Sequence, residues 1–68
     1  MDIVRELENK LSADEWSLVS YWVYKAASLA EDGRDDEARA ALKDAVAVAM
    51  AEGESNAAYK VNYYIRFF

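Results

Sequence analysis

No proline and only two glycines, Gly33 and Gly53, punctuate the 68 residues of this chain. Glycine is a common stop for a helix, because without a Cβ it closes the last turn in the left-handed conformation at no steric cost. The two glycines stand twenty residues apart, and apolar residues precede each of them at spacings of three and four. That pattern predicts helices broken at two defined places. The expected fold is all-α: a small bundle of three to four helices with a central antiparallel hairpin, residues 1–68 forming a single helical domain.

Ile3, Val4, Leu7 and Leu11 make one apolar stripe along a short first helix. Ser12-Ala-Asp-Glu15 then matches a capping box, in which the Ser hydroxyl and the Glu carboxylate satisfy backbone N–H groups left unpaired in a first helical turn. A second helix is therefore expected from Ala13 to about Asp32. Around it Trp16, Val19, Val23, Ala26, Ala27 and Ala30 lie beside Leu18, Trp22 and Leu29, an apolar arc of about half the circumference. So wide an arc predicts that this helix is the centre of the fold, with Trp16, Trp22, Leu29, Leu42 and Ala45 in the core. Its other side carries Asp14, Ser17, Tyr21, Tyr24, Ser28 and Glu31. Asp35 is placed to cap a third helix, in which Ala38, Ala41, Leu42, Ala45, Val48 and Ala49 form a stripe of mostly small residues. Ser55 or Asn56 is placed to cap whatever follows Gly53.

Residues 21–49, "YWVYKAASLAEDGRDDEARAALKDAVAVA", resemble a single tetratricopeptide-repeat hairpin. Trp22 stands at the first aromatic position, Ala26 at the small position and Leu29 where Tyr is usual. The match continues through Gly33, "DDEA" ending in Ala38, Leu42 where an aromatic is common, and Ala45. It departs at Lys25, where the family prefers Leu, and at Met50, near the position where it prefers Pro. The similarity covers less than half the chain, and no second copy is present, whereas an array needs about three repeats to bury a continuous core. The resemblance implies a helical hairpin with peptide- or protein-binding habits and carries over no catalytic residue.

With neither His nor Cys in the sequence, the commonest general bases, nucleophiles and transition-metal ligands are missing. A non-enzymatic protein without cofactor or metal is expected. No apolar run approaches the ~20 residues of a membrane span, and "MDIVRELENK" lacks the shape of a signal peptide. No membrane association and a cytoplasmic location are the corresponding expectations. Thirteen acidic against eight basic residues give a net charge of −5, which repels phosphate backbones and argues against direct nucleic-acid binding. A helix-turn-helix at Gly33 fits this charge poorly, since its recognition helix would begin "DDEAR". The acidic run "EDGRDDE" is accounted for by a helix stop and by acids favouring the positive end of a helix dipole. Its functional alternative is a small acidic inhibitor that imitates DNA, presenting Glu31, Asp32, Asp35, Asp36 and Glu37 to the basic groove of a nucleic-acid-binding protein.

Five of the nine aromatic residues fall within the last ten positions. As a helix, this segment places Ala58, Val61, Tyr64, Ile65 and Phe68 on one face, and Tyr59, Tyr63 and Phe67 almost opposite, flanked by Lys60 and Arg66. As a strand, Tyr59, Val61, Tyr63, Ile65 and Phe67 alternate onto one side, and the lone strand would have to pair with another chain. Either way association is expected through Tyr59, Tyr63 and Phe67, and the expected partner-binding set is Tyr59, Lys60, Tyr63, Arg66 and Phe67. A chain this short buries only about 60% of its unfolded surface, and neither disulfide nor zinc is available to it. Binding to a protein partner, with a homodimer as the first candidate, is the expected source of further stability.

Overall fold

The structure, a computed structural model, describes residues 2–68, and these form four helices: α1 (Ile3–Lys10), α2 (Ala13–Glu31), α3 (Asp35–Ala51) and α4 (Ser55–Ile65). The capping box is present. Ser12 Oγ accepts the Glu15 N–H at 3.2 Å, and Glu15 accepts the Ser12 N–H at 2.8 Å. These bonds hold Glu15 below the usual carboxylate range, led by the Ser12 backbone N–H and helped by Asn56, whose amide reaches the same carboxylate from α4 at 3.1 Å. A carboxyl with a lowered native pKa stabilises the fold above its unfolded pKa and loses that contribution as pH falls through the native value. Ser12→Ala is expected to cost about 1 kcal/mol in a denaturant melt, because it strips the hydroxyl acceptor from the start of α2. The variant should also lose part of the acid sensitivity that the wild type owes to Glu15.

Both glycines act as helix stops in the same way. Gly33 has φ +76° and Gly53 φ +74°. The Gly33 and Arg34 N–H groups return to Ala30 and Leu29, and those of Gly53 and Glu54 to Met50 and Ala49, at 2.9–3.0 Å. These are the paired bonds of a Schellman ending. The helices that follow start one residue earlier than caps at Asp35 and Ser55 would allow. Arg34 and Glu54 precede α3 and α4 without a side-chain cap, and Asp35 and Ser55 are the first helical residues. The chain leaves each glycine already pointed into the next helix, so the cap position falls on whatever residue comes next.

α3 packs on α2 and α4, and α1 lies against both α2 and α4; Asn56 and Glu15 also join the starts of α4 and α2 directly. The apolar arc of α2 predicts the centre incorrectly. α3 supplies five buried residues (Ala38, Ala41, Leu42, Ala45 and Ala49) against three from α2 (Val19, Val23 and Ala26). Small residues are responsible: an alanine stripe brings two neighbouring backbones close, and close neighbours exclude water completely.

Of the expected core residues, Leu42 and Ala45 are buried, while Trp16, Trp22 and Leu29 sit half-buried at its margin. Indole rings are too large to be enclosed by so thin a bundle. Trp22→Ala is consequently expected to cost about 1–2 kcal/mol in a denaturant melt rather than the ~3–5 kcal/mol of an enclosed ring.

The C-terminal segment is a helix, and the strand alternative does not form. Ala57, Ala58, Val61 and Tyr64 are buried against the bundle, with Ile65 and Phe68 half-buried beside them. α4 ends at Ile65, and a turn follows in which the Phe67 N–H reaches Tyr64 O at 3.1 Å and the Phe68 N–H reaches Ile65 O at 3.2 Å. Arg39 of α3 donates to the Phe68 carbonyl, which holds this turn against the bundle. No helix among the described residues is long and apolar enough to cross a membrane.

Candidate interaction surface

Burying one face of α4 turns its opposite face outward. Tyr59 is 76%, Tyr63 44% and Phe67 51% exposed, an aromatic row with successive members four positions apart. Tyr63 stands edge-on to Tyr64 and Phe67, with ring centres 5.3 and 5.6 Å away, and the Arg66 guanidinium lies over its ring at 4.7 Å. The expected residues Tyr59, Lys60, Tyr63, Arg66 and Phe67 thus share one side of the molecule. Holding the rings against one another restricts their rotamer freedom.

α1 adds residues that the sequence does not single out. The two helices run antiparallel, and Lys10, Tyr59, Lys60, Tyr63 and Tyr64 line a shallow groove of about 220 Å³ between them. Lys60 Nζ donates to the Lys10 carbonyl at 2.8 Å, the Tyr64 hydroxyl donates to Glu6 at 3.4 Å, and Lys10 Nζ sits 5.2 Å from the centre of the Tyr64 ring. The Tyr64 hydroxyl, within hydrogen-bonding reach, raises the Lys10 ammonium above its ordinary pKa, and Glu6 adds to this. Lys10 therefore stays charged throughout the physiological range. No periodicity links Lys10 to α4 in the sequence, because the pairing arises only when α1 folds back.

The acidic alternative is gathered at the turn between α2 and α3, where Glu31, Asp32, Asp35, Asp36 and Glu37 are all exposed. Two of the five have partners of their own. Arg34 forms a fork onto Glu37 and lowers its pKa, and Arg39 reaches Asp36 at 2.9 Å. That leaves Glu31, Asp32 and Asp35 without an ion pair among the described residues. Among the same residues no three His, Cys, Asp or Glu side chains gather where a metal ion could be held.

A second aromatic face lies on α2. Tyr21 is 67% and Tyr24 55% exposed, with Trp22 edge-on to Tyr21 at 5.0 Å and Trp16 edge-on to Tyr24 at 5.8 Å. Lys25 Nζ lies 5.3 Å from the centre of the Trp22 ring. The signal for this face is already in the sequence, since Tyr21 and Tyr24 fall on the polar side of α2. No protein-family model, no curated protein and no solved structure matches this chain.

Proposed function

We propose that this protein is a non-enzymatic interaction and assembly module that binds through the outer face of α4. The observation that carries this is the exposed row Tyr59, Tyr63 and Phe67, braced by Arg66 and Lys60, directly opposite the buried face of the same helix. Aromatic rings and Arg are enriched at the energetic centres of protein interfaces, and rigid rings give up little entropy on binding. A hairpin similar to a tetratricopeptide repeat suits such a role, and the proposal includes a cytoplasmic setting. In the acidic-inhibitor alternative, Glu31, Asp32 and Asp35 carry no ion pair among the described residues, whereas Asp36 and Glu37 already have arginine partners within the chain.

The test is sedimentation velocity over a wide concentration range with wild type and Tyr63→Glu side by side. The wild type is expected to associate, and the variant to weaken association at least about tenfold while keeping its helical circular-dichroism spectrum. Undiminished association in the variant would remove α4 as the contact surface. Unfolding of the variant would assign Tyr63 to the core.

A further inference from the structure

The surface that receives α4 must satisfy both its rings and its charge. From Ser55 to Phe68 there are two bases, Lys60 and Arg66, and no acid. A symmetric pairing of two α4 faces therefore sets cation against cation: in an antiparallel pair crossing at Tyr63, Lys60 of one copy faces Arg66 of the other. A parallel pair sets each cation against its own equivalent. The complement lies elsewhere on the same molecule. Toward its outer side α2 carries two exposed acids, Asp14 and Glu31, against one base, Lys25, while Glu15 is turned toward Ser12 and Asn56. Its outer face presents Tyr21 and Tyr24 between Ser17 and Ser28, all exposed. Tyr21 and Tyr24 on α2 and Tyr59, Tyr63 and Phe67 on α4 are all exposed, so the two faces do not cover each other within one molecule. One molecule cannot bring these two faces together; two molecules can.

We infer that the α4 face of one copy docks on the α2 face of the next, so that the protein assembles head to tail. This rests on α4 being the contact surface. Each such contact leaves one α4 face and one α2 face unused, and a heterologous contact of this kind continues into a ring or a filament instead of stopping at a pair. At roughly 200 Å² per aromatic side chain, the stated exposures give on the order of 340 Å² of ring surface on α4 and 240 Å² on α2. Both fall short of the ~800 Å² per partner of a standard interface. Flanking polar residues must supply the remainder, and assembly is accordingly weak and concentration-dependent.

Complementary variants test this. Tyr63→Glu spoils the α4 face and Tyr21→Glu the α2 face, with Tyr24→Glu as a second α2 variant should Tyr21→Glu lose its helical spectrum. In sedimentation velocity the wild-type average mass is expected to pass twice the monomer mass as concentration rises, and each variant alone is expected to stay monomeric. An equimolar mixture of an α4 variant with an α2 variant is expected to form a species of twice the monomer mass and nothing larger, because one intact face of each kind remains. A wild type that stops at a dimer and is untouched by the α2 variants overturns the head-to-tail inference while leaving α4 as the contact surface. A mixture that stays monomeric overturns it too, as does a wild type that is monomeric at every concentration. Wild-type-like assembly of Tyr63→Glu overturns both this inference and the α4 contact surface.

Discussion

Leu42→Ala is expected to destabilise the protein by about 3–4 kcal/mol, a large fraction of its total stability. Leu42 is fully buried in the middle of α3, the helix that contacts both α2 and α4. Removing its isobutyl group loses the transfer free energy of the missing carbons and leaves a cavity that the neighbours cannot fill. Beside it on the same face of α3 stand Ala38, Ala45 and Ala49, and alanine has no rotamer with which to move into the gap. A domain of this length has a total stability of roughly 3–10 kcal/mol. A urea melt of the variant should show a lost or severely shortened native baseline. A loss under ~1 kcal/mol would mean that α3 is not the central element.

The second large effect differs in kind. Leu7 is also fully buried, and Leu7→Ala should cost about 3 kcal/mol, but mainly by releasing α1. An eight-residue helix has too few hydrogen bonds to repay its own nucleation. α1 therefore persists only because Ile3, Leu7 and Leu11 are packed on α2 and α4. In native-state hydrogen exchange, amides 5–11 of the variant are expected to exchange about a hundredfold faster, with a smaller change across α3. Equal acceleration everywhere would show that α1 and the remaining helices unfold as one unit. Release of α1 also removes Lys10 and the wall of the groove beside Tyr59 and Tyr63.

Much of this architecture is legible in the sequence because it depends on local chemistry. Ser12 and Glu15 cap each other whatever lies around them, and Gly33 and Gly53 adopt a backbone conformation that few other residues tolerate. The two faces of α4 also separate correctly, since Ala58, Val61 and Tyr64 fall on one side of a helical wheel and Tyr59, Tyr63 and Phe67 on the other. What the sequence misplaces depends on neighbours. The width of an apolar arc does not say how close the next helix comes, so the broad arc of α2 looks central. The alanines of α3 are central because small side chains admit close packing. Trp16 and Trp22 count as core by hydropathy, yet their size keeps them at the rim. Lys10 joins the α4 surface only through the return of α1. The outward face of α2 escapes notice because two tyrosines among serines and acids look like an ordinary polar face until a complementary surface has been identified.

The central expectation is that the protein makes contact through the outer face of α4. Amide chemical shifts recorded on serial dilution measure this residue by residue, without any substitution. Concentration-dependent shifts are expected to cluster at Tyr59, Lys60, Tyr63, Arg66 and Phe67, with a second cluster around Tyr21 and Tyr24. The outer side of α3 from Ala40 to Ala47 should stay still. Shifts that move with concentration on α3 while those of α4 remain fixed would contradict it.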